Sequence, residues 1–314
     1  MQEKAEVLAH HPSEVDPTPE SGIVVRLWRR IPLPLRAVLS GLFVFSVMQN
    51  GWFALFLANL QVAPRIPWSV PLGLIWLWLW FRYFGGWGWP ASTSAGRRRA
   101  LRAGRITRQQ WAWSAVYFFV FLMFLTSVVN TVYRFQVIPE EPFDISMLPW
   151  WTLYPCLVMV SITAGISEEA GFRGYMQGGL ERRLGPVMAV AVTSLLFWLA
   201  HLNHADGAAR WALLIAMAAM LGALTYCAGS ILPAILCHAG LDTIFFVTGA
   251  SDTAPWFFQQ PPQISETGVD AAFVFFTALL LLSGIASAFV LRNIALARPS
   301  TALPPIITAE HTFR

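Results

Sequence analysis

About eight apolar stretches, each near the length a helix needs to cross some 30 Å of hydrocarbon, recur along this 314-residue chain. They lie near residues 37–60, 68–88, 111–133, 151–176, 187–203, 211–228, 231–249 and 271–291. Inside a bilayer every backbone N–H and C=O must be satisfied without water, and single apolar segments do that only as helices. The expected fold is therefore all-α: a polytopic membrane helix bundle. Composition agrees. Charged residues make up 12% of the chain and hydrophobic ones 56%, whereas soluble domains carry about 25% charge. Half the usual charge cannot cover a water-facing globule.

Arginine placement predicts orientation. Arg26, Arg29, Arg30 and Arg36 precede the first span; Arg97, Arg98, Arg99, Arg102, Arg105 and Arg108 fill the second loop; Arg182 and Arg183 mark the fourth; Arg292, Arg298 and Arg314 follow the last span. An even number of spans puts all of these on one side. The other side holds Arg65, Arg134 and Arg210 together with Glu140, Glu141, Asp144, Asp252 and Glu266. The positive-inside rule then places both termini in the cytoplasm. Trp87, Trp89, Trp111 and Trp113 flank the basic loop, and Trp68, Trp150, Trp151 and Trp256 flank the opposite side, as interfacial belts do. The excess of Lys+Arg (21) over Asp+Glu (17) is mild and is spent on topology, which argues against a nucleic-acid partner. Arginine far outnumbers lysine, present only as Lys4, a composition in keeping with a bacterial inner membrane.

Residues 1–30 read as a disordered polar tail, 31–298 as the transmembrane domain with a catalytic-type core at 150–248, and 299–314 as a short cytoplasmic tail. Pro186 and Pro233 stand where helix starts tolerate proline. Ala212, Ala216, Ala219 and Ala223 share a helix face that neighbours can approach closely. Cys156, Cys227 and Cys237 lie in apolar runs and read as packing residues, as does Phe197.

Ionisable groups within spans are costly, about 2.5–3.5 kcal/mol each at mid-helix on insertion scales. Spans one to three hold almost none apart from Arg82; spans four to seven hold Glu168, Glu169, Arg173, His201, His238 and Asp242. Glu169 and Arg173 are four apart, as are Phe197 and His201, and His238 and Asp242, so each pair shares a helical face. Glu168 points about 100° away from Glu169 on a regular helix. One carboxylate is thus expected to face a reaction while the other pairs with Arg173 or a neighbouring helix. At about 1.5 Å rise per residue, Glu168 and His201 lie roughly 20 Å from the arginine-rich edge, His238 roughly 12 Å and Asp242 roughly 18 Å. Three helices deliver polar groups at compatible depth.

The run Glu168-Glu169-Ala170-Gly171-Phe172-Arg173-Gly174-Tyr175, then Phe197-x-x-x-His201, then His238-x-x-x-Asp242, resembles the motif set of the CAAX prenyl endopeptidase and bacteriocin-processing (CPBP, or Abi) family. Leu221-Gly222-Ala223 and Gly229-Ser230-Ile231-Leu232-Pro233 resemble the stretch before its last motif. The resemblance covers about residues 150–248 and implies an intramembrane glutamate-dependent endopeptidase. By that resemblance Glu168 is the general base acting on water, His201 helps hold the water, His238 and Asp242 face the developing oxyanion, and Arg173 sets structure or charge. It also implies a membrane-associated peptide or protein substrate, in some relatives prenylated, within the lipid bilayer, and no obligatory cofactor. Eukaryotic and archaeal prenyl proteases carry Asn where this chain has Asp242. An ionised Asp cannot donate as Asn does, so Asp242 stays protonated, orients His238 or serves another chemistry.

Three alternatives stay open at the level of sequence. Glu168, His201, His238 and Asp242 are workable zinc ligands. The same fold can bind a peptide without cleaving it, as an immunity or scaffold protein. Buried Glu, His and Asp also mark proton-coupled transport, although here they form one cluster and no line across the bilayer.

Overall fold

The structure, a computed structural model, describes residues 23–136, 148–202, 207–249 and 260–299. Among them every regular element is helical. Six helical stretches are long and apolar enough to cross a membrane: Leu33–Val62, Arg108–Phe135, Trp150–Leu199, Ala208–Ala228, Leu232–Gly249 and Ala271–Leu296. The protein is a multi-pass membrane helix bundle.

In chain order the elements are α1 (Ile23–Arg30), α2 (Leu33–Val62), α3 (Ser69–Phe84), α4 (Ala91–Leu101), α5 (Arg108–Val132), a 3-10 turn (Tyr133–Phe135), α6 (Trp150–Glu168), a π-helical segment (Glu169–Gln177), α7 (Gly178–Leu199), α8 (Ala208–Ala228), α9 (Leu232–Gly249), α10 (Ile264–Thr267) and α11 (Ala271–Leu296). Each of the eight expected apolar segments contains a helix. Two of them differ in detail from the reading of isolated spans. The second, α3, has only 16 residues. The fourth and fifth join in one stretch, broken at Gly185, whose φ of 75° and ψ of 168° are not helical. Pro186 follows that kink and Pro233 is the second residue of α9, both at the beginning of a helical limb.

Of the expected tail at 1–30, residues 23–30 form α1, where Ile23, Leu27 and Trp28 are exposed. Residues 1–22 lie outside the described residues, as do 300–314, His204, Trp256 and the acidic residues Glu140, Glu141, Asp144 and Asp252.

Two apolar cores hold the bundle. One gathers Tyr117, Phe121, Phe172, Phe197, Leu221 and Leu224, and the other gathers Met48, Trp52, Leu77, Phe84, Met159 and Ile231. The π segment lies between them, because Phe172 belongs to the first core and Ala170 to the second. It packs on α2, while α6 packs on α9, α7 on α8, and α5 on α11.

Close approaches set these pairings. Gly41 and Gly171 face each other across α2 and the π segment: a Cβ on Gly41 would meet the Gly171 carbonyl oxygen at 2.6 Å, and one on Gly171 would meet the Gly41 oxygen at 2.7 Å. Gly165 brings α6 onto α9, where an added Cβ would lie 2.8 Å from Ala239 Cβ and 2.9 Å from its backbone nitrogen. Without a hydrophobic force between helices in lipid, such small-residue contacts are what let backbones pack. The expected alanine face of α8 is only half-buried. Its deepest residues are Ala218, Leu221, Leu224 and Thr225, because that face receives the π segment and α5.

Gly165→Ala is expected to lower stability by about 1–3 kcal/mol, the usual cost of forcing an atom into a filled contact. Gly104→Ala, whose added Cβ meets nothing within 4 Å, is expected to leave stability unchanged. Thermal unfolding in detergent of the two variants beside the parent measures the difference.

Candidate active site

The polar cluster is assembled where α6, the π segment, the end of α7 and α9 meet. Glu168 closes α6 and Glu169 opens the π segment, both on α9 because Gly165, one turn earlier, permits contact with Ala239. π-Helical turns are rare and recur at functional sites, since the extra residue per turn redirects side chains. Here the widened segment carries Glu169, Phe172 and Arg173 into the bundle; each is essentially fully buried.

Glu169 is the junction. Its Oε1 accepts from Arg173 Nη1 at 2.8 Å and from His238 Nδ1 at 2.8 Å. Arg173 also donates from Nη2 to the Ala218 carbonyl at 3.1 Å and lies over the Phe197 ring, 4.7 Å from its centroid. The guanidinium thus meets a carboxylate, a carbonyl and an aromatic face, the partners a buried arginine requires. Four residues on, Gln177 donates to the Gly222 carbonyl at 3.0 Å. Arg173 and Gln177 therefore dock in register on carbonyls four residues apart along α8, each with a lone pair to spare beyond its helical bond.

Both imidazoles are oriented through Nδ1. His201 Nδ1 lies 2.7 Å from the Phe197 carbonyl oxygen. A carbonyl can only accept, so Nδ1 carries the proton there. His238 Nδ1 donates in the same way to Glu169. Each ring accordingly presents Nε2 to Glu168: His201 Nε2 is 3.8 Å from Oε1 and His238 Nε2 is 3.7 Å from Oε2. Asp242 Oδ2 is 3.5 Å from His238 Nε2. Glu168 Oε2 has no hydrogen-bond partner within the protein.

The structure brings together Glu168, Glu169, Arg173, His201, His238 and Asp242. His201 sits in the turn just after α7, not within the helix; its N–H bonds to the Trp198 carbonyl at 2.9 Å. The limb from Pro186 to Leu199 rises only roughly 20 Å, short of the roughly 30 Å hydrocarbon thickness. Among the described residues no group of three or more His, Cys, Asp or Glu side chains is arranged to hold a metal ion.

Three contributors escaped the reading of charges. Phe197, read as core, is fully buried, yet its ring stacks on His201 at 4.4 Å, meets Phe172 edge-on at 5.2 Å and tilts towards His238 at 6.3 Å. Gln177 extends the docking row on α8, and Gln49 of α2 accepts from Ser167 Oγ at 2.7 Å beside Glu168. The two glutamines are uncharged, but an amide in an apolar span is itself a signal, since it too needs a partner.

Residues 149–244 match the family model described as type II CAAX prenyl endopeptidase Rce1-like. That segment begins just before α6 and ends within α9, so it contains all six clustered residues and bears out the resemblance read from the motifs. No curated protein and no solved structure matches the chain.

Arg173→Ala leaves the Glu169 charge buried beside its remaining partner. A loss of about 3–5 kcal/mol is expected, the usual result of removing one member of a buried ion pair. The double variant Glu169→Gln/Arg173→Met, which removes both charges, is expected to recover part of it. Thermal unfolding of the purified proteins compares the two.

Proposed function

We propose that this chain, a membrane protein with a type II CAAX prenyl endopeptidase-like segment at 149–244, is an intramembrane endopeptidase that hydrolyses a peptide bond of a membrane-associated polypeptide with a Glu168-activated water. The observation that carries the reading is the spacing around Glu168. Its carboxylate faces two Nε2 atoms at 3.7 and 3.8 Å, too long for direct hydrogen bonds and suited to a shared water. Both rings are held from behind by Nδ1 donors, so little reorganisation accompanies reaction.

In this reading Glu168 takes a proton from the water while His201 Nε2 accepts its other O–H. The resulting hydroxide attacks the peptide carbonyl carbon, and the carbonyl oxygen becomes an oxyanion. His238, in its imidazolium form, donates from Nε2 to that oxyanion while Nδ1 stays on Glu169. Glu168 then returns its proton to the amide nitrogen as the C–N bond breaks, leaving a carboxylic acid and an amine, between which a proton passes to give carboxylate and ammonium. Asp242, 3.5 Å from His238 Nε2, balances the imidazolium and holds its ring in position, which is how an Asp serves where a donor stands in prenyl proteases. Arg173 acts through Glu169 as a positioning residue. Burial of the cluster among four helical segments supports this chemistry, because dipoles count for more where water is scarce. Prenylated polypeptides are one substrate class consistent with the family segment. Arginine placement supports an even span count with cytoplasmic termini and, with the composition, a bacterial inner membrane.

Glu168→Gln is nearly isosteric and cannot act as base. It is expected to lower the rate of peptide cleavage by about 10²–10⁴-fold while the thermal transition of the protein is retained. Mass spectrometry of membrane peptides from cells expressing parent and variant reads the products. Undiminished processing by folded Glu168→Gln protein would show that the cluster does not hydrolyse peptides.

A further inference from the structure

The arginine-rich loop forms more than a topology signal. Between the end of α3, the end of α4 and the α8–α9 junction lies a cleft of about 600 Å³. Arg98, Arg99, Arg102 and Arg105 line it, with Trp87 and Gly229, and no acidic residue is among its lining. Arg298 adds a fifth guanidinium at the rim: a Cβ on Gly229 would touch its Nη2.

Among the described residues, Arg102 alone of the four lining arginines has an ion pair. Arg102 pairs with Glu181 at 2.9 Å. Arg98 donates to the neutral Gly86 carbonyl at 3.2 Å. Among the described residues no carboxylate lies within ion-pair distance of Arg98, Arg99 or Arg105, and all three are exposed. Nor is the loop a loose arm. Arg102 adopts a left-handed turn (φ 59°) that reverses the chain after α4. Its carbonyl accepts from Ile231 N–H at 3.1 Å, and the buried Ser230 hydroxyl donates to the Gly104 carbonyl at 2.8 Å. The α8–α9 junction thereby clamps the loop open as a preformed basic hollow.

Its position selects a ligand. The cleft opens at the end of the bundle where α3 and α8 finish and α5 and α9 begin. The exposed Trp89 and the lining Trp87 mark the level of lipid headgroups there. Guanidinium forks match phosphate oxygens in pairs. We propose that this cleft binds the phosphate headgroup of an anionic phospholipid, with the acyl chains lying along α3. The floor of the cleft adjoins the candidate active site: the Leu101 carbonyl packs on Gly174, where a Cβ would lie 2.9 Å from it, and Gly174 follows Arg173. A bound headgroup therefore braces the π segment from its outer end. The inference stands whether or not the cluster cleaves peptides.

The test uses the full chain in detergent, titrated with phosphatidylglycerol or with phosphatidylcholine of the same acyl composition. Native mass spectrometry reads retained lipid and thermal unfolding reads stabilisation. Preferential retention of phosphatidylglycerol with a rise in Tm is expected. The variant Arg98→Gln/Arg99→Gln/Arg105→Gln is expected to bind it on the order of a hundredfold more weakly, from about fivefold per arginine. Arg182→Gln/Arg183→Gln, on the same charged side but outside the cleft, is expected to bind as the parent does. Should the triple variant fail to fold, single Arg99→Gln and Arg105→Gln proteins are each expected to show the fivefold step. Equal retention of the two lipids, or equal losses in the cleft and control variants, would overturn the proposal in favour of diffuse surface attraction. Displacement of phosphatidylglycerol by millimolar inorganic phosphate that itself stabilises the protein would overturn the lipid as source and assign the cleft to a soluble phosphate.

Discussion

Glu169 accepts two hydrogen bonds on one oxygen, from Arg173 on its own segment and from His238 on α9. A carboxylate, a guanidinium and an imidazole buried inside an apolar helix bundle are each prohibitive alone; joined, each supplies what the others need. The consequences spread outward. Arg173 must reach α8 to complete its donors, so α8 lies against the π segment. His238 must present Nδ1 to Glu169, so its Nε2 turns to Glu168 and Asp242. The arrangement of four helices around the cluster follows from keeping one carboxylate oxygen doubly hydrogen-bonded.

The neighbouring carboxylate is held more loosely. Glu168 is buried but lacks a direct partner on Oε2, and its contacts to both histidines are long. Adjacent residues of one motif thus differ in degree: Glu169 carries two short hydrogen bonds on Oε1, whereas Glu168 meets the histidines only at longer range, and the Oε2 of each has no partner within the protein. Phe197 serves both sides of this division, covering Arg173 with its face and supporting His201 with its carbonyl and ring.

Much of this was legible in residue spacing. Charges in apolar spans are conspicuous, and Glu168, Glu169, Arg173, His201, His238 and Asp242 stood out for that reason. Spacings of four placed Glu169 with Arg173 and His238 with Asp242, and those pairs do meet. The same filter passed over Gln177 and Gln49, which carry no charge, and took Phe197 for ordinary core. It also drew the alanines of α8 towards the interior, although α8 turns another face inward to offer its carbonyls to Arg173, Gln177 and Tyr117.

Apolar length and the expense of intramembrane charge settle, from the order of amino acids, that the chain is a helical membrane bundle and which of its side chains must gather. Those are properties of each segment against its solvent. Which carboxylate would be paired and which left facing the histidines depended on contacts between segments. The π-helical turn at Glu169–Gln177 and the Gly165–Ala239 approach that brings α6 to α9 each rest on neighbours distant in the chain. Helical periodicity holds no record of them, because a residue's angle around its own axis does not say which helix will stand opposite.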